Sequence, residues 1–304
     1  MHMQAAIPFP EISPIIVSFE VFGRELALRW YAMAYIVGIG LGWMIIKAAI
    51  TRPHLWQGEP PLQVKQLEDL LTYIVVGVIG GGRIGYVLVY KPTEFLAAPL
   101  DIFKIWEGGL SFHGGFVGVV LAVILFSRRQ NVPLPELADI IAVAATPAIL
   151  LVRIANFING ELWGRATDVP WAIRFPTMCS DPLRQGCPHV GEWFYYGDEP
   201  LRHPSQLYEA GLEGMLLGAL LLLLAFRFGA LKKNWLLSGT FFLVYGLSRF
   251  AVEFVRQPDA QFISEGNPLG LAFHINGVGL TMGQTLSLPM ILVGLAVVLV
   301  ARRR

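Results

Sequence analysis

Arg83, Arg153, Arg249, Glu209, Glu213 and Glu253 are ionisable residues that fall inside long hydrophobic stretches of this chain. An arginine at the centre of a membrane helix costs about 2.5 to 3.5 kcal/mol on insertion scales, so such residues mark function or mutual pairing. Arginine suits phosphate, because its planar guanidinium offers a fork of donors and keeps its charge. A different chemistry is offered by Ser111-Phe112-His113-Gly114-Gly115-Phe116-Val117-Gly118, where one histidine sits among glycines at the mouth of an apolar run. Histidine exchanges protons near neutral pH, and a thiol attacks only as the thiolate. Arginines together with a histidine describe a site for an anionic headgroup with acid–base help nearby.

Structural alternatives stand beside each of these residues. Glu253 follows Arg249 by four positions, so the two can pair along one helix. Arg153 has no acid three or four positions away, only Asn156. Arg83 lies close to the end of its run and can extend its head to the interface. His113 can serve as a structural hydrogen-bonding group, and Gly114 and Gly118 fit close helix packing without any chemistry.

The elements that must position these groups are membrane helices. Of the 304 residues, 55% are hydrophobic and 15% charged, with a mean hydropathy of +0.57, a balance that points to lipid as the solvent. A helix needs roughly 20 apolar residues to cross the bilayer. The expected architecture is an all-α membrane protein of about seven transmembrane helices: Leu28 to Ile46, Leu67 to Val89, Ser111 to Phe126, Leu137 to Asn159, Tyr208 to Phe228, Leu236 to Phe254 and Met282 to Ala301. Glycines and polar groups interrupt the third, fourth and sixth, which places them in the interior. The whole chain, 1–304, reads as a single polytopic membrane domain, with 160–207 as an outward-facing cap loop rich in Trp, Pro, Gly and Tyr. The first 27 residues lack the basic start and apolar core of a cleaved signal peptide and read as a mature arm. Cys179 and Cys187, the only cysteines, share the cap loop and are free to pair in an oxidising compartment.

Lysine and arginine set the orientation, since they accumulate in cytoplasmic connections. One set of connections carries Lys47, Arg52, Lys65, Arg128, Arg129, Lys232, Lys233 and Arg302 to Arg304; the other carries Arg24, Arg29, Lys91, Lys104 and Arg256. The denser set faces inward, so the N-terminus and the cap face outward and the C-terminus faces the cytoplasm. That orientation brings Arg83, Arg153, Arg249, His113, Tyr208, Glu209 and Tyr31 into the outer half of the membrane.

Near-neutral net charge, +1, excludes a nucleic-acid binder. His54, His113, His189, His203 and His274 are isolated, so no metal site is expected. There is no nucleophile elbow and no phosphate-binding glycine loop. A phosphatidyltransferase would need clustered aspartates for divalent metal, which are missing. A flippase for anionic lipid would also gather arginines at one depth, but the chain has no clear internal repeat.

The block Arg153-Ile-Ala-Asn-Phe-Ile-Asn-Gly-Glu-Leu-Trp-Gly-Arg165 resembles the prolipoprotein diacylglyceryl transferase family. Arg29-Trp-Tyr31, His113-Gly-Gly, Arg202-His-Pro-Ser-Gln-Leu-Tyr-Glu209 and Ser248-Arg-Phe-Ala-Val-Glu-Phe-Val-Arg256 extend the likeness over most of the chain. Val152 departs from it, standing where the family usually has glycine. The resemblance implies transfer of diacylglyceryl from phosphatidylglycerol to the lipobox cysteine of a preprolipoprotein in the bacterial inner membrane. It leaves a thioether and glycerol phosphate, and no cofactor is called for. It marks His113 as the essential histidine, and Arg153, Asn156, Glu161 and Gly164 as signature residues, with Tyr31, Arg249 and Glu253 at further functional positions. The expected site therefore has His113, Arg153 and Arg249 at the chemistry. Tyr31, Arg83, Asn156, Glu161, Gly164, Tyr208, Glu209 and Glu253 are expected to hold substrate.

Overall fold

The computed structural model describes residues 7–21, 24–104, 108–179, 189, 191–195, 197, 199–258, 260–275 and 277–303. A hairpin, β1 (Ile15–Val21) and β2 (Arg24–Arg29), leads directly into helix α1 (Trp30–Ile50). Then follow α2 (Val64–Tyr90), the short α3 (Pro92–Ala97), α4 (Phe112–Gln130), α5 (Leu134–Ala144) and α6 (Thr146–Ile158). Beyond the cap segment come α7 (Ser205–Phe226), α8 (Leu236–Val252) and α9 (Met282–Arg303). Two small hairpins complete the list: β3 (Thr177–Met178) with β4 (Trp193–Phe194), and β5 (Phe273–Ile275) with β6 (Val278–Leu280).

Helix occupies every expected span. By length and composition five qualify to cross a membrane: α1, α2, α5 with α6, α7 and α9; α8 is a shorter apolar helix of 17 residues. Apolar side chains such as Val76, Leu88 and Leu292 are more than 60% exposed on the helix flanks, as expected where lipid rather than water covers them.

The fourth expected span is two helices meeting at Ala145. The cause is Pro147, which has no N–H to give the carbonyl of Val143 one turn earlier. The Thr146 hydroxyl takes that acceptor at 2.9 Å instead. Asp139 of α5 reaches across to the start of α8, accepting both the Ser238 amide and its hydroxyl at 2.7 Å. A carboxylate there suits the positive end of the helix.

Glycine sets how closely the helices approach. A Cβ on Gly118 of α4 would lie 2.0 Å from the Gly77 carbonyl oxygen of α2, and one on Gly114 would lie 2.3 Å from that of Gly81. Gly214 of α7 similarly rests on the Leu150 backbone of α6. The core under these contacts holds Leu67, Leu70, Phe126, Leu137, Ile140, Leu217, Leu221 and Leu237. The N-terminal arm lies on the cap, where Phe9 packs among Phe157, Phe175 and Trp193. Cys179 is buried and disulfide-bonded; Cys187 lies outside the described residues.

Candidate functional site

The centre of the site is a carboxylate. Glu209, fully buried, is the fifth residue of α7, which begins just after Pro204. One carboxylate oxygen meets Arg153 of α6 at 3.0 Å; the other meets Arg249 of α8 at 3.1 Å and Arg256 at 3.6 Å. Glu213, one turn further and equally buried, takes Arg153 at 3.2 Å. Glu253 pairs with Arg249 and, at 3.6 Å, with Arg256. Thr281, just ahead of α9, donates its hydroxyl to Glu253 at 2.7 Å. Three guanidinium charges thus meet three carboxylate charges. Pairing makes burial tolerable where an isolated charge would not be.

Local sequence explains how the partners reach one another. Residues 210–216 form a π-helical segment inside α7, and Glu213 lies in it just after Glu209. Segments of this kind widen a helix and recur at functional sites. Arg249, Glu253 and Arg256 follow one another at helical spacing at the end of α8. Gly283 leaves room for the Glu253 carboxylate, since a Cβ there would fall within 2.5 Å of it.

Beside the cluster, Asn156 and Asn159 both donate to one Glu161 oxygen, at 2.9 and 3.1 Å. Gln206 secures the Glu161 main-chain carbonyl at 2.6 Å. The Tyr31 hydroxyl lies 3.4 Å from that of Tyr35 and within electrostatic reach of Glu161 and Arg153. Gly164 is threaded between strands of main chain: its amide donates to the His203 carbonyl at 2.8 Å, and a Cβ would strike Val255 O at 2.5 Å. Tyr208 is engaged by the cap, accepting from Trp171 Nε1 at 2.6 Å and facing His203 Nδ1 at 3.2 Å. Burial lowers His203 below the ordinary imidazole value, so its neutral form is favoured.

The expected residues therefore separate into groups. Arg153, Arg249, Glu209 and Glu253 come together in one ion network, and Asn156, Glu161 and Tyr31 adjoin it. Arg83 stands elsewhere, 6% exposed on α2. Its guanidinium donates to the main-chain carbonyls of Asp101, Ile102, Lys104, Gly108 and Gly109, the shortest being Asp101 and Gly108 at 2.6 Å. Among the described residues its hydrogen-bond partners are these carbonyls and not a carboxylate. His113 is exposed at the start of α4, which packs chiefly on α2 and α5.

Sequence reasoning left out Glu213 and Arg256 as site residues, along with Gln206 and Thr281. The Arg249, Glu253, Arg256 spacing was a usable helical signal. Gln206 and Thr281 gave none, because their partners come from distant segments.

Each of the paired guanidiniums keeps donors beyond those spent on glutamate, since the group carries five N–H bonds. Arg153 and Arg249 retain 18% and 17% side-chain exposure. The arrangement is thus a rigid, charge-compensated fork with donors left over for an anion.

The model of the prolipoprotein diacylglyceryl transferase family matches residues 16–300. A phosphatidylglycerol–prolipoprotein diacylglyceryl transferase of Roseobacter denitrificans is 55% identical, covering 99% of both chains. The proteins of the same name from Ruegeria pomeroyi and Bradyrhizobium diazoefficiens are 54% and 45% identical, over 99% and 98% of this chain and 99% and 94% of theirs. With a family match over nearly its full length and apolar helices long enough to span a bilayer, this chain belongs to the prolipoprotein diacylglyceryl transferase family and is a membrane-bound transferase of lipoprotein biosynthesis.

Proposed function

We propose that this transferase works at the Arg153–Glu209–Arg249 network, moving the diacylglyceryl group of phosphatidylglycerol onto the lipobox cysteine of a preprolipoprotein. The observation that carries this is the meeting of arginines from two different helices on one buried carboxylate. Glu209 aligns both forks, and their remaining N–H donors take the lipid phosphate. In the transfer, the cysteine sulfur forms a bond to the terminal glycerol carbon while that carbon's bond to the phosphate oxygen breaks. Negative charge collects on the departing glycerol phosphate, where fixed donors stabilise it more than they stabilise the substrate. His113 accepts the thiol proton, directly or through water. Arg83 acts at one remove, holding the loop that leads into α4 and so into His113. Asn156, Glu161 and Tyr31 keep the Arg153 side in place, Glu253 does so for Arg249, and Tyr208 and Gly164 join the site to the cap.

The seven helical segments span the inner membrane of a bacterium as one domain, with the N-terminus and the 160–207 cap outside and the C-terminus in the cytoplasm. The lysine and arginine distribution supports this orientation.

Purified protein incubated with phosphatidylglycerol and a lipobox peptide yields a thioether and glycerol phosphate. Lipid movement without thioether would make the protein a transporter instead. Arg153→Lys keeps the charge but loses the fork, and kcat/KM falls about 10- to 100-fold, the equivalent of roughly 1.5–3 kcal/mol for a charged hydrogen bond; normal turnover would refute the phosphate assignment. His113→Gln abolishes transfer with an unchanged unfolding midpoint. An active His113→Gln protein would remove the proton acceptor from this scheme.

A further inference from the structure

The two carboxylate oxygens of Glu253 have different partners. Oε1 faces Arg249 and Arg256, while Oε2 accepts the Thr281 hydroxyl at 2.7 Å. We propose that Thr281 is a positioning residue of the transfer. By holding one Glu253 oxygen it aims the other at Arg249, and so sets the direction of the guanidinium donors that take the lipid phosphate. This rests on the transferase reading above, and Thr281 acts through Glu253 rather than on the substrate.

The first argument is the bonding of the hydroxyl. Thr281 is buried; its Oγ1 also accepts the Gln284 amide at 3.1 Å, and Gln284 Oε1 accepts the Thr281 amide at 3.1 Å. That reciprocal pair is a capping box at the start of α9. An amide can only donate, so the single hydroxyl proton is left for Glu253. The helix start therefore aims the proton, and a charged acceptor makes the bond a strong one of its class. The last torsion of a glutamate side chain has broad minima. What holds Oε2 thus decides where Oε1 points.

The second argument is the frame. Thr281 lies 28 positions beyond Glu253 in the chain, and close packing of α8 on α9 brings the two together. A Cβ on Gly246 of α8 would lie 3.2 Å from the Ser287 carbonyl oxygen, and one on Gly294 of α9 would lie 2.4 Å from the Leu243 amide nitrogen. These contacts hold the start of α9 at the Arg249 end of α8. In the first turn of α9, Gly283 leaves the space that the Glu253 carboxylate occupies, and the positive end of the helix favours a carboxylate there.

The test follows turnover of phosphatidylglycerol and a lipobox peptide by the full-length enzyme, below the unfolding midpoint of every variant. Thr281→Val and Thr281→Ala delete the hydroxyl in two shapes, so that one serves if the other fails to fold. Each lowers kcat about ten-fold or more, the loss expected for one hydrogen bond to a charged group. The KM for the peptide changes less than about two-fold, because the lost interaction serves the transition state. Thr281→Ser, which keeps the hydroxyl, retains kcat within about two-fold. Gln284→Leu removes a cap bond and spares the bond to Glu253, so it lowers the unfolding midpoint and keeps kcat. Normal kcat in the hydroxyl-free variants, or a fall in Gln284→Leu that matches theirs, would overturn the proposal while leaving the transferase reading intact. Absence of thioether from the unaltered enzyme would overturn both.

Discussion

Glu209 contributes more to the site as a partner than as a charge. It is wholly buried, and its two oxygens divide between Arg153 on one side and Arg249 and Arg256 on the other. Breaking a buried ion pair by removing one partner costs about 3–5 kcal/mol, because the survivor is left uncompensated. Glu209→Gln therefore lowers the unfolding midpoint in detergent and abolishes transfer. Glu213→Gln, whose ion pair among the described residues is with Arg153, has a smaller effect on both. Equal midpoints for the two variants would show that Glu209 is not the pivot. The Arg249–Glu253 pair was legible in the sequence from its four-residue spacing. The Arg153–Glu209 pair was not, because its members are far apart in the chain and no local pattern joins them. The Arg83 contacts were hidden for the same reason: its partners are main-chain carbonyls that carry no signature in the sequence.

Among the elements, hydrophobic runs located the helices, but their interruptions needed coordinates. The fourth span read as one interrupted helix; that it breaks at Pro147 and that Thr146 repairs the break could be read only from the structure. The π-helical segment at 210–216 had no sequence mark, yet it lies directly beside Glu209 and contains Glu213. Glycines were legible as packing residues, and the structure distinguishes among them. A Cβ on Gly115 would have its nearest neighbour at 3.6 Å, whereas one on Gly118 would meet Gly77 O at 2.0 Å. Gly115→Ala is tolerated. Gly118→Leu forces α2 and α4 apart, costs about 1–3 kcal/mol or more by overpacking, and lowers activity by displacing His113. Matching unfolding midpoints for these two proteins would contradict this account of the α2–α4 contact.

At the level of the whole molecule, a helical bundle in lipid surrounds a neutral ion network and carries a cap at one end. Its orientation has a direct test. A membrane-impermeant maleimide labels Ser13→Cys in intact spheroplasts, and labels Lys232→Cys only after the membrane is opened; labelling of Lys232→Cys from outside would invert the topology. The sequence by itself determined the solvent, the helical class, the positions of the helices and the family likeness, because hydropathy and contiguous motifs are properties of neighbouring residues. Tertiary structure alone decided which glutamate holds which arginine and that loop carbonyls surround the Arg83 guanidinium. Those depend on side chains from separate helices meeting in three dimensions, where burial obliges every charge to find a partner.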